Sequence, residues 1–184
     1  MNYQQKIYNT VNSFIETMAD LDGKERGINK QVQAETLARV TADQQRAALK
    51  AQRDAAYAGT VQEIERIRVS HAEAVDLWNT LDGSKLHADA EILKMDIPMN
   101  QVQYQQLCDK HKNNSLMLSL LCQYADRHKE SALYADRPAD AATRKVEFND
   151  YAARAVNVCR EPQSIRAGLF LSNNGVPASC GYEY

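Results

Sequence analysis

Apolar residues recur at intervals of three or four positions along most of the chain, a spacing that predicts helices rather than strands. In residues 3–21 this spacing gives one amphipathic face, formed by Ile7, Val11, Phe14, Ile15 and Met18. The tripeptide Leu-Asp-Gly follows at residues 21–23 and occurs again at residues 81–83. Since a glycine just after the last periodic position commonly ends a helix, both tripeptides predict helix ends.

The block between these two tripeptides predicts one long helix. It contains no proline, and Gly27 and Gly59 are its weak points, so a helix that begins near Ile28 would extend on the order of 75 Å. Its second half carries a broad apolar stripe: Tyr57, Val61, Ile64, Ile67, His71, Ala74, Val75, Trp78 and Leu81. Its first half carries a seam of mostly small residues at the corresponding positions: Ala34, Leu37, Thr41, Gln44, Ala48, Ala51, Ala55 and Ala58.

The seam of small residues lets a second helix approach closely, but it offers little apolar area to bury, at about 25 cal/mol per Å². Oppositely charged residues four positions apart, such as Lys50 and Asp54, favour the helix locally. Because a lone helix in water is marginally stable, we expect this one to pack against copies of itself or a partner. The predicted self-association residues are Leu37, Thr41, Ala48, Ala55, Tyr57, Val61, Ile64 and Trp78.

Residues 84–160 predict a compact bundle of shorter helices. Asn100 with Gln103 three positions later resembles a capping box, and Ser115 is the expected N-cap of the most apolar helix. A final helix from about residue 139 to residue 159 is expected to bury Val146. The predicted core of the bundle is Tyr104, Leu107, Leu120, Leu121 and Tyr124.

Glycine, asparagine and proline interrupt any helical pattern in the last part of the chain, residues 161–184. The segment Gly-Leu-Phe-Leu-Ser in this part is compatible with a short strand, with an apolar plug on the bundle or with a disordered tail. The fold class predicted is therefore all-α: a long, extended, coiled-coil-like helix, a compact bundle and an irregular C-terminal tail. The corresponding domains are residues 1–83, 84–160 and 161–184.

The composition narrows the classes of partner. The formal net charge is −2 and no basic patch stands out, which argues against binding to nucleic acid or to an anionic membrane. The chain has no apolar run long enough to span a membrane, and its N-terminus lacks the pattern of a signal peptide. We therefore expect a cytoplasmic protein whose partners are proteins, and four scattered cysteines without a disulfide framework.

Two groups of residues suggest metal chemistry, and neither is complete in the sequence. Cys108 and His111 are one helical turn apart, but Cys122 and His128, six positions apart, would lie on different faces of a helix. His87 stands near two carboxylates in His-Ala-Asp-Ala-Glu, where acidic residues are also what the start of a helix favours. The sequence therefore predicts no metal site and no cofactor.

No sequence motif of a known catalytic machinery is present. Gly-x-Ser-x-Gly, a P-loop, Gly-x-Gly-x-x-Gly and His-Glu-x-x-His are all missing, which predicts a protein that is not an enzyme. An enzyme would require a polar pocket that unites at least two of His87, His111 and His128. A helix-turn-helix reading is also disfavoured, because the second helix of the pair is apolar where base contacts would be needed.

The charged alanine-rich helix and the segment after it resemble small helical proteins encoded near the capsid genes of tailed phages and prophages of Gram-positive bacteria. In those proteins a short helix, an asparagine-containing turn and an apolar helix with a Tyr-Ala pair follow one another. The matching positions here are Ile97, Met99, Tyr104, Leu107, Asn113, Asn114, Met117, Leu120, Leu121, Tyr124 and Ala125.

The resemblance implies a non-enzymatic role in assembly of the virion head, with copies of the chain and capsid or other virion proteins as partners, in the bacterial cytoplasm or the virion. The tail lacks the strongly charged segment with which scaffolding proteins usually bind the shell, which argues against a scaffold. A second hypothesis is a helical adaptor or regulator that binds one host or phage protein through residues 84–160.

Overall fold

The computed structural model describes residues 2–80, 82–129, 132–172, 176 and 180. In these residues the fold is all-α, as predicted, and contains no strand. Two short 3-10 helices, Gly83–Lys85 and Ala132–Asp136, lie between the α-helices. The α-helices are α1 (Tyr3–Gln33), α2 (Arg39–Trp78), α3 (Ala90–Lys94), α4 (Gln101–Lys110), α5 (Ser115–Arg127), α6 (Ala141–Arg160) and α7 (Ile165–Leu171).

The chain forms two compact units whose boundaries lie inside helices. The first unit comprises the described residues up to Ser70 and those from Phe148 onward, and the second comprises His71–Glu147. The chain passes from the first unit to the second within α2 and returns within α6. The boundaries predicted from the sequence follow residues 83 and 160, where glycine and loop residues interrupt the helical pattern. The boundaries between the two units fall inside continuous helices, which such residues do not mark.

Helix α1 does not end at the first Leu-Asp-Gly tripeptide, contrary to the expectation from the sequence. It continues through Gly23 to Gln33, because Leu21 and Ile28 extend its buried face on both sides of the glycine. A glycine inside a helix costs about 1 kcal/mol relative to alanine, which the burial of two large apolar side chains offsets. The chain turns after Gln33 instead, with Glu35 in the left-handed region at φ 55°.

Helices α1 and α2 pack as an antiparallel pair in the first unit. Arg46 of α2 donates to the side chain of Asn29 of α1 (2.7 Å), and the rings of Phe14 and Tyr57 are 6.4 Å apart. The residues that α1 buries recur at steps of three or four positions up to Leu21, as in a coiled coil, and the next one follows seven positions later: Tyr3, Ile7, Val11, Phe14, Met18, Leu21 and Ile28. The facing residues of α2 within this unit are Ala42, Leu49, Ile64 and Ile67.

The second half of α6 is the third helix of the first unit. Phe148 packs on Tyr3 with ring centroids 6.5 Å apart, and Arg68 of α2 donates to Asn149 (3.1 Å). Val146 was expected to be buried but is 59% exposed. It is about 200° around the helix from Phe148, which occupies the buried face.

The predicted irregular tail contains α7. Ser164 caps this helix by accepting from the backbone N–H of Ala167 (3.3 Å), and Phe170 stacks on Tyr151 of α6 with ring centroids 5.1 Å apart. The segment Gly-Leu-Phe-Leu-Ser is thus helical and not a strand. Residues 173–175, 177–179 and 181–184 of the predicted tail lie outside the described residues, as does Leu81 of the predicted apolar stripe.

The second unit has its core among α3, α4, α5 and the second 3-10 helix. The predicted core residues Tyr104, Leu121 and Tyr124 are at most 1% exposed, and Leu107 and Leu120 pack against the same cluster while partly buried. The Tyr104 hydroxyl donates to the Leu121 carbonyl and the Tyr124 hydroxyl donates to the Ile97 carbonyl, both at 3.0 Å. These hydrogen bonds satisfy polar groups that the core buries.

Side chains cap the N-termini of α4 and α5 in the second unit. The predicted capping box is present, since Asn100 and Gln103 each accept from the other's backbone N–H. The cap of α5 is one position earlier than predicted: Asn114 accepts from the N–H of Met117, and Ser115 is the first helical residue.

Candidate functional site

The alanine-rich seam of α2 lies on the outside of the α1–α2 pair. We call Thr41, Gln44, Ala48, Ala51, Ala55 and Ala58 the alanine face, and all six residues are exposed. Helix α2 begins at Arg39 and not near Ile28, so the predicted self-association residue Leu37 lies in the connection before the helix and outside this face. Helix α1 covers a neighbouring set of positions instead, among them Leu49, which is about 100° around the helix from Ala48.

Of the other predicted self-association residues, Ile64 is buried inside the chain, which corrects its assignment, and Tyr57 and Trp78 contact other residues of the chain. Ile64 is 1% exposed, so a second copy cannot reach it, and Val61 is half-buried. Tyr57 packs on Phe14, and its hydroxyl is 3.3 Å from Arg160 Nε. Trp78 is half-buried with the Arg144 guanidinium 3.9 Å from its ring centre. Only the alanine-rich half of α2 keeps the predicted face open.

A cleft of about 640 Å³ opens in the first unit between α1, α2 and the end of α6. Phe14, Met18, Tyr57 and Cys159 are among its lining residues. Burial raises the pKa of the Cys159 thiol to about 11, so it is protonated at neutral pH and a weak nucleophile. Arg53 at the cleft pairs with Asp22 (2.8 Å) and with Glu25 (2.7 Å), so two carboxylates neutralise its charge.

His87, Asp89 and His111 come together in the second unit. Nδ1 of His87 is 3.3 Å from Oδ1 of Asp89, and Nε2 of His111 is 2.9 Å from Oδ2 of the same carboxylate. The two imidazole rings have centroids 4.9 Å apart. One ligand-type atom from each residue lies within 4.8 Å of the other two.

The local fold holds this cluster at one end of the α3–α4 pair. Asp89 directly precedes α3, whose Ala90 and Leu93 are anchored in the core. His111 directly follows α4, and its backbone N–H donates to the Leu107 carbonyl (3.1 Å). Asp89, before the start of α3, and His111, after the end of α4, therefore lie next to each other.

One ammonium group and two imidazoles lie beside the Asp89 carboxylate. Lys110 Nζ donates to Oδ2 at 2.7 Å. The hydrogen bonds from Lys110 and then from His111 lower the pKa of Asp89 to about 2. The carboxylate therefore stays ionised at any physiological pH and can attract a cation in place of the lysine ammonium.

The cysteines and His128 do not join this group. Burial raises the pKa of Cys108 and of Cys122 to about 11, and the Cys122 thiol donates to the Pro138 carbonyl at 3.2 Å. His128 instead lies beside Asp96, at 3.2 Å. Of the Cys108 and His111 pair whose spacing suggested zinc, His111 belongs to the cluster with His87 and Asp89, whereas Cys108 is part of the hydrophobic core.

In the sequence, His87 with Asp89 forms one candidate fragment and His111 belongs to another. The enzyme hypothesis alone requires two of the histidines to meet, and the structure brings His87 and His111 together. The signal that connects them is topological: helices joined by a short loop run antiparallel, so residues before the first and after the second become neighbours. The short segment between α3 and α4 meets this condition.

A second surface of the same unit is an apolar groove of about 470 Å³. Its lining includes Ile92, Pro98, Met99 and Leu107. Two large apolar side chains next to it in the chain, Met95 and Val102, are 67% and 65% exposed. This combination offers a binding surface for an apolar side chain of another protein.

No protein-family model matches the chain, and neither curated proteins nor solved structures include a significant match. Among the described residues, no helix combines the length and the apolar character needed to cross a lipid bilayer.

Proposed function

We propose that this chain is a non-enzymatic structural protein that self-associates through the alanine face of α2. The observation that carries the proposal is the exposure of Thr41, Ala48 and Ala55 at seven-residue spacing on a 40-residue helix. A seven-residue repeat keeps one face directed at a partner helix over several turns. A second copy could dock there without displacing α1.

Small side chains make such a contact close and weak. They allow helix axes to approach, yet they bury little apolar area, at about 25 cal/mol per Å². Repetition strengthens weak contacts, because each further contact in an assembly forms at high effective concentration. Charges beside the face, such as Asp43 and Lys50, can select the partner's orientation through ion pairs between helices.

Sedimentation velocity over a range of concentrations tests this proposal. The natural chain is expected to gain mass with concentration, and Ala48→Lys or Ala55→Lys is expected to remain monomeric. Ala19→Lys is the matched control, since Ala19 is an exposed alanine on α1, outside its buried face. A natural chain that stays monomeric throughout, or a control that loses association equally, contradicts the proposal.

We extend the proposal to virion head assembly because residues 86–129 resemble helical proteins encoded near phage capsid genes. The partners would then be copies of the chain and capsid or other virion proteins, in the bacterial cytoplasm or the virion. A tagged chain is expected to migrate with head precursors in a density gradient of particles from the producing bacterium. A chain found only among free proteins would remove the virion role and leave self-association standing.

The alternative is an adaptor that binds a host or phage protein through residues 84–160. The apolar groove, together with the exposed side chains of Met95 and Val102 that are close to its lining residues in the sequence, favours this second candidate. Its signature would be one stoichiometric partner whose binding Val102→Glu abolishes and Ala48→Lys leaves unchanged. If Ala48→Lys abolished binding and Val102→Glu left it unchanged, the interaction would belong to the alanine face.

A further inference from the structure

We propose that His87, Asp89 and His111 bind one divalent transition-metal ion of the zinc class. This inference is independent of the proposed self-association. In tetrahedral zinc sites the metal is about 2.0–2.2 Å from each nitrogen or oxygen ligand, which separates neighbouring ligands by about 3.3 Å. His87 Nδ1 is 3.3 Å from Oδ1 of Asp89, which matches this value, and His111 Nε2 is 2.9 Å from Oδ2 of the same carboxylate. One ligand atom from each of the three residues lies within 4.8 Å of the other two, so a small rotation of an imidazole ring is enough to bring all three to one ion.

The ligand types select the class of metal. Two imidazole nitrogens and one carboxylate oxygen suit borderline ions such as Zn²⁺, whereas Mg²⁺ and Ca²⁺ require mostly oxygen ligands. Three protein ligands leave a coordination position for water, as in open zinc sites. His87 is 45% exposed in its side chain, so an ion can enter from solvent.

The cluster is held in place before any ion binds. His111 is 5% exposed and its backbone is fixed at the end of α4. The backbone N–H of Asp89 donates to Nδ1 of His87 at 3.1 Å, which holds that ring against the carboxylate. A metal ion bound to Nδ1 of His87 would replace the hydrogen bond from the Asp89 backbone. The same ion would also replace the proton between Nε2 of His111 and Oδ2 of Asp89.

Lys110 is the competitor for the site. Its ammonium is 2.7 Å from Oδ2 of Asp89, and a dication at the same carboxylate would repel it. The side chain of Lys110 is 52% exposed, so it can move into solvent when a metal binds. Removing its charge should therefore tighten metal binding, an effect that a merely structural ion pair would not produce.

Calorimetric titration of the full chain with ZnCl₂ at neutral pH tests the site. We expect one ion per chain, tighter binding by Lys110→Gln, and binding weakened about tenfold or more by His87→Gln or Asp89→Asn. His128→Gln is the matched control, because His128 pairs with a different carboxylate, Asp96. MgCl₂ should give no saturable binding.

Two results would overturn the proposal. One is the absence of saturable one-to-one Zn²⁺ binding in Lys110→Gln, which is the variant best suited to bind. The other is equal affinity of His87→Gln and His128→Gln, which would indicate scattered surface binding.

Cobalt spectroscopy gives a second readout. Co²⁺ bound to the three proposed ligands should show visible absorption without a thiolate charge-transfer band. A thiolate band would place the metal on the cysteines and contradict the assignment. Zn²⁺ should also raise the Tm of the natural chain more than that of His87→Gln, because an ion that binds the folded state stabilises it in proportion to its affinity.

Discussion

The alanine-rich half of α2 and the core of the second unit are both helical, but different contacts stabilise them. In the first, Leu49 is one large apolar side chain buried against α1, and ion pairs such as Arg53 with Asp22 supply further contacts. In the second, Tyr104, Leu121 and Tyr124 are fully buried, and both hydroxyls are hydrogen-bonded. The first region can remain helical with one face open, whereas the second depends on complete packing.

The largest expected difference between these regions comes from removing one leucine in each. Leu121→Ala should lower the free energy of unfolding by about 4 kcal/mol, since a fully buried leucine leaves a cavity. Leu49→Ala should lower the free energy of unfolding by about 2 kcal/mol. Leu49 lies at a contact between two helices and is 7% exposed, so neighbouring side chains and water can fill the space that the substitution leaves. Urea denaturation of both variants measures the difference, and equal losses would contradict the comparison.

The second unit should also be the pH-sensitive one. His71 is 1% exposed, and burial, with the nearby charges of Arg144 and Lys145, lowers its pKa from 6.5 to about 4. The unfolded chain then binds more protons than the folded chain between these values, so stability is complete above pH 6.5 and falls as the pH decreases toward 4. The loss should reach about 3 kcal/mol, at about 1.4 kcal/mol per pH unit.

His71→Gln provides the control for this prediction. Its absolute stability can differ, but its stability should change less between pH 7 and pH 4 than that of the natural chain. Urea denaturation at several pH values measures the two slopes. Parallel slopes would show that His71 titrates normally.

The ion pairs between α1 and α2 should contribute less to the free energy of unfolding than the buried leucines and His71 do. Arg53→Gln removes contacts to Asp22 and Glu25 at a side chain that is 27% exposed, and should cost about 1 kcal/mol. Arg66→Gln is the control, because Arg66 is 64% exposed and pairs within its own helix with Glu63. It should change stability less than Arg53→Gln does, and 1 M salt should reduce the difference between the variants.

The smallest effect concerns two residues with left-handed backbone. Glu35→Gly should stabilise the chain by about 0.5 kcal/mol, since glycine adopts φ 55° without strain but loses more entropy on folding. Asp96→Gly at φ 54° should gain nothing, because it also removes the carboxylate beside Arg127 and His128. Thermal unfolding of both variants compares the turns, and a stabilising Asp96→Gly would contradict this account.

Local signals in the sequence located much of the second unit. The capping box at Asn100 and the apolar density after Ser115 predict α4 and α5, because caps and helical periodicity act within a few residues. The predicted core residues Tyr104 and Tyr124 follow from the same periodicity, which indicates a buried face without naming its partner.

Other features depend on contacts between distant residues. The continuation of α1 through Gly23 depends on packing against α2, which the tripeptide does not encode. Two adjacent faces of α2 have helical spacing, and only the presence of α1 decides that Leu49 is covered and Ala48 is not. His87 and His111 become neighbours because α3 and α4 bring their flanking residues together, so no short motif contains both.

The discontinuous first unit has a consequence for the order in which the chain folds during synthesis. Tyr3 of α1 packs on Phe148 of α6, which the ribosome makes only after all of His71–Glu147. Contacts between such distant residues form slowly, because the intervening loop must first close. The second unit can therefore fold first, while the part of the α1 face around Tyr3, which α6 covers in the folded chain, stays exposed to a chaperone or another nascent chain.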